Sequence, residues 1–230
     1  MHLLAPGRPS TSFLRWCLEQ LSTGEAKKVL TGALAPGEEV PFLDAGFTVV
    51  EHLSLLELEL SRRPGTAGRT FPNRNDHRRG EWALRRARQS DRPPVLSLDH
   101  AAFEAFWQLD DESLDEALAA TPERRFRVAL GPRVALGRGR EVAAYAVTGL
   151  ALDQGYIQRL AVHPAAQGKG AGRALLGDAL RWLERKGAGR VVVNTQESNG
   201  RALALYERFG FQSCSERLSV LCADVIGRSG

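Results

Sequence analysis

The sequence predicts an α/β fold, α+β in detail because its mixed sheet combines parallel and antiparallel strands. Three observations carry this expectation. From Trp82 onward, strand-like and helix-like patterns alternate along the chain. A glycine-dense stretch, "HPAAQGKGAGRALL" (163–176), joins an apolar strand pattern to an apolar helix pattern. Two distant tracts repeat the same order of helix, strand, short helix and strand.

The repeat comprises residues 17–60 and 179–225. Leu18 and Leu21 match Leu180 and Leu183, "KKVLTGAL" matches "GRVVVNTQ", and "PFLDAGF" matches "LYERFGF" without a gap. The first copy has no glycine loop ahead of it, and Phe42 stands where the second copy has Tyr206. Between the copies, "WALRRA" (82–87) reads as a strand. Ser90 and Asp91, followed by prolines, mark a helix start. "DESLDEALAAT" reads as a short amphipathic helix. "RRFRVAL", "RVALGR" and "REVAAYAVTGL" read as strands, with "GRGR" as a turn. "GYIQRLAV" is the strand before the glycine loop. Residues 171–186 form a helix with Leu175, Leu176, Ala179, Leu180 and Leu183 on one face. These patterns divide the chain into a partial unit (1–60), a linker rich in Arg, Pro, Gly and Asn (61–81) and a complete domain (82–230).

Composition narrows the class. The 230 residues are 43% hydrophobic and 25% charged, as in ordinary globular proteins, and no apolar run reaches the length of a membrane span. No signal-peptide pattern opens the chain, and Cys17, Cys214 and Cys222 have no metal-ligand spacing. A cytoplasmic bacterial protein without a metal or a membrane partner is expected. Net charge is +4, but residues 61–94 carry ten arginines against three acids. No stacking aromatics interleave them, so the segment reads as a solvated linker, not a nucleic-acid surface.

The glycine loop suits a phosphate. The first N–H groups of a helix lack intrahelical partners and sit at the positive end of its dipole. Glycine lets such a backbone close around an anion without Cβ clashes. Lys169 is followed by Gly170, so the Ser or Thr of a P-loop is missing. Gly168 and Gly170 fit the first two positions of a dinucleotide fingerprint, but Arg173 occupies the third. Gln167, Gly170 and Gly172 satisfy (Q/R)-x-x-G-x-(G/A), the pyrophosphate loop of acyl-CoA transferases.

In context, "YIQRLAVHPAAQGKGAGRALL" followed by "VVVNTQESNGRALALYERFGF" resembles the GNAT superfamily of acyl-CoA-dependent N-acyltransferases, over about residues 155–211. Residues 82–99 also resemble that family's first strand and helix. The resemblance implies a catalytic GNAT domain preceded by a partial, degenerate GNAT-like unit, as in tandem GNAT proteins. It implies acetyl-CoA as co-substrate. Leu160, Ala161 and Val162 would line the pantetheine arm, and an N–H near Leu160 or Val162 would face the thioester oxygen. Gln167, Gly168, Lys169, Gly170, Ala171, Gly172 and Arg173 would hold the pyrophosphate, and Asn199 would contact the arm. Asn199 also reads as a helix N-cap, and Tyr206 as a core aromatic. By resemblance Tyr206 protonates the leaving thiolate.

The family's strand glutamate is missing: Tyr156, Gln158 and Arg159 stand there. Asp153 and Glu197 are the candidate bases, since an alkylammonium must lose a proton before it attacks. His163 reads as structural. Phe103, Phe106 and Trp107, with acids at 110–112, 115 and 116, could line an acceptor cleft or form an ordinary helix pair. The expected activity is acetyl transfer to a primary amine of a small molecule or a protein N-terminus. The alternative is an acyl-CoA-binding sensor with little turnover. A homodimer is left open.

Overall fold

The computed structural model describes residues 9–22, 27–60, 82–131 and 141–225. The expected basic linker, the "RVALGR" strand and its "GRGR" turn lie outside the described residues. The chain divides into two compact units. One comprises Met1–Leu56, Asn194–Leu203 and Ser213–Gly230; the other comprises Glu57–Val193 and Ala204–Gln212. This spatial division is discontinuous in sequence, unlike the contiguous one read from composition, because the C-terminal strand pairs with the first strand of the chain.

The larger unit holds β3 (Ala83–Arg86), α3 (Arg92–Ala102), α4 (Asp111–Ala119), β4 (Glu123–Leu130), β5 (Val142–Ala151), β6 (Gln154–Val162), α5 (Ala171–Arg185) and the start of β7 (Arg190–Gln196). β3, β4, β5 and β6 run antiparallel in turn, and β6 then pairs parallel with β7. Side chains alternate across the sheet. Ala144 and Ala146 of β5 face Ala171, Ala174 and Leu175 of α5, with Leu160 and Val162 packed alongside. Tyr145 and Val147 face the other way, into Val95 and Leu98 of α3 and Leu114 of α4. The five positions expected to form the apolar face of α5 are all buried. Helices on both faces of a mixed sheet confirm the expected fold class.

The other unit holds α1 (Thr11–Leu21), β1 (Lys28–Leu30), α2 (Val40–Asp44), most of β2 (Thr48–Glu59), and β8 (Gln212–Asp224) from Ser213 on. Its small core gathers Phe47, Leu221 and Ala223, with Leu18, Val29, Leu34 and Phe42 around them. The strands follow the order β1-β8-β2-β7-β6-β5-β4-β3.

The repeat is visible atom by atom. α2 and α6 (Gly200–Arg208) end alike: Phe47 N–H donates to the Phe42 carbonyl at 3.0 Å, and Phe211 N–H to that of Tyr206 at 3.1 Å. Gly46 and Gly210 take left-handed φ of 98° and 88° at the matching turn, where a Cβ would be strained. Phe42 packs edge-on against Phe47, and Tyr206 packs against Phe211.

The start of α3 differs from expectation in one respect. Asp91 occupies the N-cap position, but its carboxylate does not cap α3. It accepts instead from Arg88 N–H at 2.6 Å and from both terminal nitrogens of Arg85 at 2.6 and 2.7 Å. That geometry pins β3 to the helix start. The Arg85 guanidinium holds the Asp91 carboxyl below the usual carboxylate range, against the opposing effect of burial. A depressed folded pKa adds stability that is complete above the unfolded value and is lost as pH falls through the folded one. Asp91→Asn should therefore lower the urea midpoint at about pH 7 and flatten its fall toward about pH 3. Urea titrations of both proteins across that range measure this.

Candidate acyl-CoA site

The site begins where two strands part. β6 and β7 are paired only at Gln154–Arg190, Gly155–Val191 and Tyr156–Val192. Beyond Tyr156, β6 continues against β5 alone. His163 N–H donates to the Ala143 carbonyl on β5 at 2.9 Å. Backbone groups alternate sides along a strand, so the N–H groups of Leu160 and Val162 point away from β5, to the edge β7 has left. The Val162 carbonyl on that same edge accepts from Gln167 Nε2 at 3.2 Å.

A bulge marks this part of β6. Val147 lies opposite Arg159 and Thr148 opposite Ile157, so Gln158 is an extra residue. Gln158 donates weakly to Thr121 Oγ1, at 3.4 Å. Arg159 reaches toward α3 and clasps Asp99 with Nε and Nη2, both at 2.9 Å, while Nη2 also meets the Trp107 carbonyl at 2.6 Å. Asp99 is fully buried and accepts further from the Tyr145 hydroxyl and the Leu109 N–H. Burial pushes the Tyr145 phenol well above its usual range, so it stays a donor. Phe103 stacks on the Arg159 guanidinium, 3.7 Å from ring centroid to carbon.

The loop after β6 is built for close backbone approach. Gly168 (φ 72°) and Gly170 (φ 90°) are left-handed, and Gly170 is the N-cap of α5. Residues 168–170 and Arg173 are exposed, leaving the helix N-terminus open to solvent. The loop is fixed from below. Trp82 Nε1–H donates to the Lys169 carbonyl at 2.8 Å, and the Ala165 N–H donates to His163 Nδ1 at 3.2 Å. A Cβ on Gly172 would lie 3.3 Å from Val162 and 3.5 Å from Leu205, so this glycine lets α5 approach β6 and α6 closely.

The larger unit thus brings together Leu160, Ala161, Val162, residues 167–173 and, through Leu205, the helix turn of Tyr206. Tyr206 is 5% exposed, and among the described residues nothing takes its hydroxyl. Burial raises its pKa well above the ordinary phenol value, so it is held protonated. Asn199 caps α6: its Oδ1 accepts from Ala202 N–H at 3.1 Å.

The two candidate bases belong to different units. Asp153 lies in the turn before β6, roughly 20 Å along the strand from Leu160 at about 3.3 Å per residue, and its carbonyl accepts from Gly189 N–H. Glu197 belongs to the smaller unit and pairs with Arg217 at 3.0 Å. Three of the acids near α4 have partners within the fold: Asp110 caps it, and Asp111 and Asp115 hold Arg92. Sequence reasoning missed Trp82, Asp99 and the placement of Arg159, whose partners are 46 to 87 residues away in the chain. An aspartate at a buried helical position was the one available signal, since such a charge needs partners.

A splayed strand pair running into a glycine turn at a helix N-terminus defines an α/β protein with an open strand edge leading to an exposed helix start. The chain belongs to the acetyltransferase (GNAT) family, whose model matches residues 92–211. It is 37% identical over 82 residues to the [ribosomal protein bS18]-alanine N-acetyltransferase of Escherichia coli strain K12, covering 36% of this chain and 55% of that protein. It is 49% identical over 57 residues to the mycothiol acetyltransferase of Beutenbergia cavernae, covering 25% of this chain and 19% of that protein. The chain therefore spans about half the length, or less, of these curated relatives. A crystal structure of a GNAT-family acetyltransferase from Novosphingobium aromaticivorans shares the fold, with a TM-score of 0.61, 16% identity, and coverage of 96% of this chain and 90% of that one.

Gly170→Asp should place a carboxylate at the open helix N-terminus and weaken CoA binding at least about tenfold, or 1.4 kcal/mol. Gly170→Asn carries the same backbone strain without the charge and should retain most of the affinity. Titration calorimetry with CoA separates the two, and equal losses would assign the effect to strain.

Proposed function

We propose that the chain is an acetyl-CoA-dependent N-acetyltransferase acting by direct attack in a ternary complex. The observation that carries this reading is the edge of β6 from Ile157 to Val162, released by β7 and leading into the left-handed glycines ahead of α5. The N–H groups at 168–173, with Lys169 and Arg173, would hold the pyrophosphate. The β6 edge would bind the pantetheine arm, with Leu160 or Val162 N–H donating to the thioester oxygen as charge develops there. The neutral acceptor amine forms a C–N bond to the acetyl carbon as the C–S bond breaks, Tyr206 donates its proton to the thiolate, and the proton released by the nitrogen returns to the Tyr206 oxygen through water.

No carboxylate faces α3 from the β6 bulge, where Gln158 and Arg159 stand, so the reading favours acceptors that lose their proton easily. Glu197 or Asp153 would act as the base, directly or through water. The name of the Escherichia coli relative supports a protein N-terminal amine as acceptor; a small-molecule amine is the other candidate. Among the described residues no helix is long and apolar enough to cross a membrane, in keeping with a cytoplasmic setting. We further propose that residues 1–60 are a degenerate GNAT-like unit without a CoA site, residues 61–81 its basic linker and residues 82–230 the catalytic domain.

The missing carboxylate also favours a second reading, an acyl-CoA sensor with little turnover. Incubation with acetyl-CoA and a panel of amines and alanine-initiated peptides, with free thiol as readout, decides between them. Thiol release that depends on an amine supports the enzyme; tight CoA binding without release supports the sensor. In the enzyme, Tyr206→Phe should lower kcat by about 100-fold while leaving CoA affinity and melting temperature near their original values. Steady-state kinetics at saturating acetyl-CoA, beside a thermal melt, provide the measurement.

A further inference from the structure

The N–H groups of the loop after β6 fall into two sets. Those of Ala165, Ala166 and Gln167 are spent inside the fold, on His163 Nδ1 and on the carbonyls of His163 and Pro164. Those of Gly168, Lys169, Gly170, Ala171 and Gly172 make no hydrogen bond among the described residues. The Ala174 N–H is the next donor in use, to the Gly170 carbonyl at 3.0 Å.

Alternating backbone hand shapes the second set. Gly168 and Gly170 are left-handed and Lys169 between them is not. That alternation turns successive N–H groups toward one hollow, which suits an anion. Glycine-flanked peptide planes turn over readily, so such a hollow is soft by itself. One plane here is held. The Lys169 carbonyl accepts from Trp82 Nε1–H. A trans peptide is planar and sets its C=O and N–H in opposite directions, and no described peptide bond is cis. The Gly170 N–H shares the plane of the Lys169 carbonyl. It therefore points away from Trp82, at a residue exposed to solvent.

The indole itself is fixed. Trp82 is buried in one cluster with Ala166, Ala171, Ala174 and Leu175, so it underlies both the loop and the first turn of α5. A Cβ built on Gly170 would come 4.0 Å from Trp82 Nε1, which puts the indole nitrogen close beneath the turn.

We propose that Trp82 is a positioning residue of the acyl-CoA loop: its N–H, rather than its ring volume, holds the Gly170 amide toward the pyrophosphate. The proposal rests on the acyl-CoA reading of this site. Trp82 acts through the loop. It orients a donor before the ligand arrives, so binding does not have to order that peptide. β3, which Trp82 precedes, thus contributes to a site that begins 87 residues further along the chain.

Three replacements at position 82 separate the N–H from the ring. Trp82→fluorotryptophan keeps both. Trp82→benzothienylalanine keeps the two-ring shape and puts sulfur in place of the N–H. Trp82→Phe removes both. In calorimetric titrations with CoA, the fluorinated protein should bind as the unsubstituted one does. The benzothienyl protein should bind about tenfold more weakly, a loss of 1.4 kcal/mol. Unchanged CoA affinity in the benzothienyl protein overturns the proposal, even where Trp82→Phe weakens binding, because ring volume is then the cause. A second measurement needs no variant that must fold without the bond. In the unsubstituted protein labelled with nitrogen-15 tryptophan, the Trp82 indole N–H should exchange slowly with solvent before CoA is added. Rapid exchange in the free protein would show that the bond does not precede the ligand, and it too overturns the proposal. An unsubstituted protein that binds no CoA overturns the acyl-CoA reading and the proposal with it, whereas CoA binding indifferent to the indole N–H overturns the proposal alone.

Discussion

The separation of β6 from β7 after Tyr156 is the constraint around which the larger unit is organised. A strand deprived of a neighbour exposes backbone groups that bind water or a partner strand unless something else occupies the edge. Here β6 is held without β7 by its ladder to β5, and by Arg159 reaching across to α3. Beyond Tyr156 that edge has no strand paired to it among the described residues. The loop that follows is aimed by the same strand, because Gln167 folds back onto the Val162 carbonyl.

Arg159 illustrates how a departure from a family pattern is absorbed. A cation on the bulge of β6 would be costly alone, but Asp99 meets it with two charge-assisted bonds and Tyr145 and Leu109 satisfy the remaining carboxylate lone pairs. Removing one member of such a buried pair typically costs about 3–5 kcal/mol, chiefly because the other is left uncompensated. The pair also ties the segment carrying Trp107 and Leu109 to β6.

Local features were legible in the sequence and long-range ones were not. The glycine loop, the apolar face of α5 and the repeat of "PFLDAGF" in "LYERFGF" are patterns within a few turns of chain, and each stands in the structure where the sequence put it. The splay of β6, the bulge at Gln158 and the alternation of strands between copies depend on which strands meet, and periodicity carries no information on pairing partners. Asp91 shows the boundary between the two. Its place at a helix start is local, whereas its choice of Arg85 over the helix N–H groups follows from the packing of β3.

The bond from Trp82 to the Lys169 carbonyl has an optical consequence. One of the chain's four tryptophans has its indole N–H fixed to the loop that faces the proposed ligand. Indole emission responds to the polarity and hydrogen bonding around that nitrogen. The scaffold thus carries an intrinsic fluorophore bonded directly to its glycine loop.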